Sequence, residues 1–351
     1  MKSFPERLKS ARLMRGLSLE GLAERLEPKV SRQALHKYEQ GTARPGSEVL
    51  SALCNILNLP QDFFARESRV KLDNLSFRKK ANLGAKEETR VREVAKDYLE
   101  RYLELEQLVG KESFLRNNPL NGFRLRDLND AEQAAKKVRL AWNLGDDPLF
   151  NVLGLLEDHQ VKVVPVDADN KFSGFSTWID SVPVIVLNQH ASIPLDRLRF
   201  TALHELGHLL MDIQGCTEKE KESYCHAFAG SMLISRERLI DELGFRRHSI
   251  HIKELGVVKQ QYGISIAALL QRAKETGVLT PNGYRNMVIQ LSAQGYRTVE
   301  PFEYKGQEKA QRFTQLLIQA FENEVITTSK AAALSNQSLA DFRKSLVSDE
   351  L

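Results

Sequence analysis

Cysteine, net charge and long apolar runs are all scarce in this 351-residue sequence. Three widely spaced cysteines, Cys54, Cys216 and Cys225, cannot form a disulfide framework. The longest uninterrupted apolar run, 182–187, is far shorter than the roughly 20 residues that a membrane-spanning helix needs. Residues 1–16 hold five Lys or Arg and one Glu without an apolar stretch. We therefore expect no secretory signal, no membrane association and a cytoplasmic location.

The charge is nearly balanced, with 50 Lys and Arg against 46 Asp and Glu, so net charge by itself indicates no nucleic-acid partner. The small surplus lies in the first third, where residues 1–65 hold ten basic against seven acidic residues. That distribution favours a phosphate-binding surface there only if a motif supports it, and a solvated face is the alternative. An apolar content of 42% excludes wholesale disorder, and the length allows two or three domains.

Residues 4–65 show short helical patterns separated by turn signals. Ser18 and Ser31 stand where each can cap a helix, and Gly41 follows the second of these helices where a left-handed residue is favoured. The stretches SLEGLAERL, SRQALHKYEQG and VLSALCNILNL resemble the helix-turn-helix domain of phage-repressor (Xre-type) regulators. A helical protein-binding module is the alternative interpretation.

That resemblance implies a partner, double-stranded operator DNA. It places the second helix of the pair in the major groove, where its first residues reach the bases. Arg32 and Gln33 are the side chains best suited to read bases, and Lys37 and Arg44 those best suited to bind phosphate. The implied DNA-binding residues are Ser31, Arg32, Gln33, His36, Lys37 and Arg44.

Residues 67–118 are polar and of mixed charge, which is typical of a linker. Apolar residues at helical spacing predict a long helix over Ala85–Leu108. Its apolar face is compatible with a homodimer contact or with packing against a neighbouring part of the same chain.

Between residues 119 and 246 the periodicity changes from helix to strand and back. The pattern predicts strands at 161–166, 172–179 and 183–187, the last two joined by a turn at Asp180 and Ser181. The stretch 184–188 is either an exposed edge that could pair with an extended substrate or a buried arm of a hairpin.

The sequence FTALHELGHLLM carries the clearest chemical pattern. His204 and His208 are four residues apart on a predicted helix, so both project from one face and can hold one metal ion. Glu205 lies beside that face, where it can take a proton from water at the metal. The alternative is a packed helix that happens to carry two histidines.

A catalytic zinc ion needs a third protein ligand and an open position for water. Glu222 opens the helical run ESYCHAFAGSML, which can face the first helix across an antiparallel turn, so we predict Glu222 as that ligand. His226, one helical turn further on, is either a hydrogen-bond partner of a ligand or a substitute ligand. The candidates considered are Asp212, Cys216, Glu222, Cys225 and His226.

The strand pair FSGFSTWI and VPVIVLN, the helix RLRFTALHELGHLLM and the following E-x-x-C/A-x-x-F-A helix resemble the ImmA/IrrE family of zincin-like metallopeptidases. The resemblance implies that His204, His208 and Glu222 bind Zn²⁺ and that Glu205 is the catalytic base. The family often has Asn at the position of His226. Its members typically cleave a partner repressor or regulate a neighbouring gene, which implies a protein substrate.

We therefore expect a mostly α-helical, multidomain chain. The predicted domains are an all-α helix-turn-helix domain (1–66), a linker with a long helix (67–118), an α+β zincin-like core with about three strands (119–246) and a helical extension (247–351). The end of the extension, 324–346, could be a second small helix-turn-helix or could pack against the core. The predicted function is a DNA-binding regulator fused to a zinc endopeptidase that cleaves a partner repressor or itself. The alternative is a repressor or antitoxin, paired with a toxin encoded nearby, whose zinc domain only binds.

Overall fold

The computed structural model describes residues 3–67, 83–111, 118–297 and 299–347. It confirms a mostly α-helical, multidomain chain with a small three-stranded sheet. One compact unit combines residues 1–113, 166–172 and 311–351, and the other combines 114–165 and 173–310. The predicted extension 247–351 is thus divided between the two units. In the described ranges, no helix has the length and apolarity needed to cross a membrane.

The first six helices are α1 Phe4–Met14, α2 Leu19–Leu26, α3 Arg32–Glu39, α4 Ser47–Leu57, α5 Gln61–Ala65 and α6 Ala85–Leu108. Then come α7 Leu128–Ala141, α8 Val152–Asp158, β1 Lys162–Val166, β2 Gly174–Ile179, β3 Val182–Asn188, α9 Leu195–Leu210 and α10 Glu218–Leu233. The remaining helices are α11 Arg236–Leu243, α12 Ile252–Tyr262, α13 Ile266–Glu275, α14 Pro281–Ala293, α15 Arg312–Glu322, α16 Thr328–Leu334 and α17 Leu339–Ser345.

Helices α1 to α5 of the first unit surround a small apolar core that includes the fully buried Leu35. The predicted caps are present: Ser18 accepts a hydrogen bond from the Gly21 amide, and Ser31 accepts one from the Ala34 amide. Gly41 has a φ of 72°, the left-handed conformation expected just beyond α3. Short-range signals therefore determine where these helices begin and end.

Helix α6 has the bounds that its apolar spacing predicts, and it packs against α1 and α15. Tyr102 of α6 lies in one apolar cluster with Phe313 of α15 and Phe342 of α17. Of the two alternatives for its apolar face, packing within the chain is therefore the one observed. The tail helices α16 and α17 are joined by a short turn at Asn336, and both contribute side chains to this same cluster.

The sheet of the second unit has the order β1-β3-β2, with β2 and β3 antiparallel from Gly174 opposite Leu187 to Ile179 opposite Val182. Helix α9 packs on β2 and β3, and α10 packs against α9 and α7. Strand β3 is central and almost entirely buried. The buried-arm alternative for 184–188 is thus confirmed and the exposed-edge alternative is wrong. The sequence left both open because the order of strands in a sheet depends on long-range pairing and not on the local hydrophobic pattern.

Candidate functional site

Helix α9 brings two histidine rings together on one side. His204 and His208 are one helical turn apart, and their Nε2 atoms lie 3.2 Å from each other. Both are well buried, with side-chain exposures of 7% and 4%. Two imidazoles whose nitrogens converge in this way form half of a metal site.

Helix α10 supplies a carboxylate to the same point. A capping box formed by Thr217 and Glu220 starts this helix, and Glu222 follows in its first turns. The two carboxylate oxygens of Glu222 lie 3.4 Å from the Nε2 atoms of His204 and His208. In the described part of the chain, these three side chains are the group whose metal-binding atoms lie within 4.8 Å of one another.

The spacing of these atoms fits zinc. Zinc bonds of 2.0–2.1 Å in a tetrahedron place neighbouring ligand atoms about 3.3 Å apart. The two Nε2 atoms are 3.2 Å apart, and each lies 3.4 Å from a different oxygen of Glu222, so the carboxylate faces the point between the two rings. Two histidines and one glutamate are also one of the ligand sets found in catalytic zinc sites, which keep the fourth position for water or substrate. Asp212, Cys216, Cys225 and His226, also considered from the sequence, lie outside the group.

Glu205 is buried beside the histidines, with 7% of its surface exposed. The Ser176 hydroxyl of β2 donates a hydrogen bond of 2.7 Å to Oε2 of Glu205. Ser176 is two residues from Gly174, where a Cβ atom would lie 2.8 Å from the backbone oxygen of Val186 on β3 and 3.3 Å from Thr201, one helical turn before Glu205 on α9. The lack of a side chain at Gly174 therefore serves the pairing of β2 with β3 first, and it also leaves room for α9. Sequence reasoning missed the contact between Ser176 and Glu205.

Two further side chains of α10 contact the predicted metal ligands. The Sγ atom of Cys225 lies 3.2 Å from Nδ1 of His208. Nδ1 of His226 donates to the backbone carbonyl of Glu222 over 2.6 Å, and the His226 ring lies edge-on to His204 at 4.5 Å between centroids. The structure therefore places His226 next to two ligands, outside the group of converging ligand atoms. Sequence reasoning treated Cys225 only as a candidate ligand.

A cleft of about 1040 Å³ in the second unit adjoins His226 and Phe200. The loop 189–195, one face of α13 and the segment 299–304 form much of the rest of its wall. Lys259 at its edge is buried and lies 2.7 Å from Asp196 and 2.9 Å from Glu300. Burial favours the neutral form of Lys259, but its hydrogen bonds to Asp196 and Glu300 and the negative charges of these carboxylates outweigh this and raise its pKa above the ordinary value. This cluster ties the start of α9 to the wall of the cleft.

The predicted DNA-reading side chains lie on the outside of the first unit. Ser31, Arg32, Gln33, His36, Lys37 and Arg44 are all exposed. Glu39, at the end of α3, accepts two hydrogen bonds from Arg12 of α1, at 2.7 and 2.9 Å. Arg12 also donates to the carbonyl of Leu17, just before α2. A paired, buried arginine therefore fixes α3 relative to α1 and α2 and leaves its outer face open.

Comparisons with known proteins agree with both resemblances drawn from the sequence. Residues 8–64 match the helix-turn-helix family, and residues 156–274 match the family described as IrrE N-terminal-like domain. The chain carries both domains. The SPbeta prophage-derived uncharacterized HTH-type transcriptional regulator YonR of Bacillus subtilis (strain 168) is 37% identical over 70 residues. The match spans 20% of this chain and 63% of the relative, less than two thirds of its length.

The two matches contain the sites described above. The IrrE N-terminal-like domain includes the sheet, α9 and α10, and with them His204, Glu205, His208 and Glu222. The helix-turn-helix domain includes α2 to α5 and all six of the exposed side chains predicted to face DNA.

Proposed function

We propose that this protein is a cytoplasmic, DNA-binding transcriptional regulator whose IrrE N-terminal-like domain is a zinc-dependent endopeptidase. The proposal rests on the convergence of His204, His208 and Glu222, with the two Nε2 atoms 3.2 Å apart and each 3.4 Å from one Glu222 oxygen, beside the buried Glu205. A site of this kind needs no further side chain to hold zinc and still has a position open for chemistry.

The residues divide the work of peptide hydrolysis between them. Zinc, when bound, polarises the scissile carbonyl and lowers the pKa of water. Glu205 takes the proton of the attacking water and passes it to the leaving amine. Ser176 holds the Glu205 carboxylate in place through its hydrogen bond to Oε2, so the base is oriented before the substrate arrives.

An extended peptide is the substrate that the surroundings fit best. Strand β2 is at the edge of the sheet and carries Ser176, so its outer backbone can pair with a peptide laid beside the site. Trp178 on the same strand is 42% exposed and can contact side chains of that peptide. The cleft next to His226 offers further space. These features support a protein as the substrate.

The helix-turn-helix domain would place this activity at an operator. Arg32 and Gln33 are exposed at the start of α3, where a recognition helix contacts base edges, and Lys37 and Arg44 are placed to bind phosphates. Cleavage of a partner repressor, or of this chain within 66–116, would then relieve repression. Part of that stretch, 68–82 and 112–116, lies outside the described residues.

A second candidate function is binding without hydrolysis. In that case the chain is a repressor or antitoxin, and its zinc domain senses a signal or docks a partner. The exposed α3 supports this function as well as the first, since DNA binding does not depend on Glu205.

The two functions are separated by Glu205→Gln, which keeps the size of the side chain and removes the base. Reporter expression from the protein's own promoter is measured with the wild type and the variant, and zinc content is measured in parallel. The proposal expects the variant to keep its zinc and lose the regulatory response. An unchanged response with full zinc content would favour the binding function and contradict hydrolysis.

A further inference from the structure

Cys225 occupies an unusual place in the metal centre. Its side chain is completely buried, and its Sγ atom lies 3.2 Å from Nδ1 of His208. It follows Glu222 by three residues on α10, so one helix supplies a ligand atom and also touches the rear of a ligand on α9.

The geometry determines which His208 nitrogen carries the proton when the site is filled. Nε2 of His208 points toward Glu222 and His204, so its lone pair is the one available to a metal. The proton of the neutral ring is then on Nδ1, which donates to the sulfur of Cys225. In metal sites, the acceptor for this second N–H group fixes the ring orientation of the ligand.

We propose that Cys225 is a positioning residue that orients His208 for zinc by accepting the hydrogen bond from its Nδ1. This inference rests on the proposed zinc site. Carboxylates and backbone carbonyls are the usual acceptors in this position, and here a buried thiol serves the purpose. Because Sγ faces Nδ1 and not the converging Nε2 atoms, Cys225 supports a ligand without being one.

Gly207 favours the contact. A Cβ atom at residue 207 would lie 3.1 Å from Met211, 3.2 Å from Phe228 and 3.4 Å from the Sγ atom of Cys225. A side chain at residue 207 would therefore crowd Phe228 of α10 slightly, and its absence leaves room for the close approach of α10 to α9. The same approach brings the sulfur within hydrogen-bonding distance of the His208 ring.

A purely structural role for Cys225 makes the opposite prediction to a positioning role. If the thiol only fills space, Ala or Val should replace it better than Ser, because a buried hydroxyl that lacks a partner is costly. If the thiol accepts a hydrogen bond from His208, Ser should replace it best, because its oxygen can accept the same bond. The order of the variants distinguishes the two roles.

The test is the zinc dissociation constant of the full chain, measured by competition with a chromogenic chelator, for wild type and for Cys225→Ser, Cys225→Ala and Cys225→Val. Cys216→Ala serves as the matched control, since Cys216 is half-buried in the same unit and outside the site. We expect Ala and Val to weaken zinc binding ~10-fold or more, while Ser and the control stay near wild type. Far-ultraviolet circular dichroism of the metal-free proteins verifies that each variant is folded.

The absorption spectrum of the cobalt-substituted protein provides a second reading that does not depend on affinity. We expect no thiolate-to-cobalt charge-transfer band in the wild type, and a change in the ligand-field bands in Cys225→Ala that Cys225→Ser restores. A charge-transfer band lost in Cys225→Ala would make Cys225 a ligand and overturn the proposal. If Cys225→Ser, Cys225→Ala and Cys225→Val all bound zinc as tightly as the wild type, the positioning role would also be overturned, while the proposed zinc site itself would stand. A wild type that binds no zinc would instead contradict the proposed function itself.

Discussion

Ser176 and Cys225 each contact a residue that the sequence motif predicts. Helical geometry alone places His204 and His208 on one face, which is why the sequence was enough to predict them. The contact of Ser176 depends on how β2 lies across α9, and that of Cys225 on how closely two helices approach. Neither contact can be predicted from a local sequence pattern, so the roles of Ser176 and Cys225 can be inferred only from the tertiary structure.

Ser176→Ala tests the anchoring of Glu205. We expect the cleavage rate to fall about 10-fold, the cost of losing one hydrogen bond to a charged group, while the zinc content stays at the wild-type level. The cleavage rate is measured on the protein substrate identified for the wild type, and the zinc content is measured on the purified variant. Thr177→Ala is the control on the opposite face of the same strand, and the same loss in that variant would argue against a specific role for Ser176.

At the scale of elements, the sequence predicts most helices correctly because their signals are local. The apolar spacing of α6 and the capping serines of α2 and α3 each lie within a few residues of the boundary they determine. The order of strands in the sheet does not follow from local signals. Strand β3 is the last of the three strands in the sequence, yet it lies between β1 and β2 and pairs with both. The close approach of α10 to its neighbours likewise depends on residues far apart in the sequence.

Gly230 of α10 shows such a requirement. A Cβ atom there would lie 2.5 Å from Cδ of Arg272, whose guanidinium is held by Glu132 and by the carbonyl of Ile234. We expect Gly230→Ala to lower the free energy of unfolding by about 1–2 kcal/mol, since crowding outweighs the gain in helix propensity. Chemical denaturation provides the measurement. Gly21→Ala is the control, and we expect it to stabilise the helix-turn-helix domain, because no atom lies closer than 3.4 Å to its Cβ.

Helix α3 gives a prediction for DNA binding. We expect Lys37→Ala to weaken binding about equally to the protein's own promoter and to unrelated DNA sequences. We also expect it to reduce the slope of log K against log salt concentration by about 1. We expect Gln33→Ala to relax base preference instead, because an amide that reads a base carries sequence information. Fluorescence anisotropy at several salt concentrations measures both. A salt slope that Lys37→Ala leaves unchanged, with Lys9→Ala of α1 as the control, would contradict the assigned face.

In the whole molecule, the two compact units do not follow one another along the chain, because each is built from separate stretches of sequence. Residues 311–347 return to the unit that contains the helix-turn-helix domain, where Arg101 donates to the carbonyl of Leu334. Asp97 accepts a hydrogen bond from Asn336 in the same unit. Hydrogen bonds between residues more than 200 positions apart do not affect the local periodicity of the sequence. The tail helices could therefore be predicted from the sequence, but the elements they pack against could not.

The second unit contains a partly buried ion pair, between Glu132 and Arg272, that makes its stability depend on pH. Burial favours the neutral form of Glu132, but the bidentate hydrogen bonds from Arg272 outweigh this and lower its pKa below the ordinary value. A lowered carboxylate pKa contributes stability that is complete above the unfolded value, about 4.3, and is lost as the pH falls through the folded value.

We therefore expect Glu132→Gln to cost about 3 kcal/mol near pH 7, and the difference from wild type to shrink below about pH 4.3. Thermal unfolding of the metal-free proteins across this range gives the measurement, and Glu254→Gln is the control at a more exposed pair with Arg247. A difference that stays constant with falling pH would show that the pair contributes nothing through Glu132 ionisation.

We propose above that Glu205 makes the zinc site of this DNA-binding regulator hydrolytic. The proposal is tested by comparing the protein N-termini in cells that express the wild type with those in cells that express Glu205→Gln, both with full zinc content. We expect at least one new N-terminus, within a partner regulator or within residues 66–116 of this chain, that is present only with Glu205. Identical sets of N-termini, under conditions in which the regulated promoter responds, would contradict it.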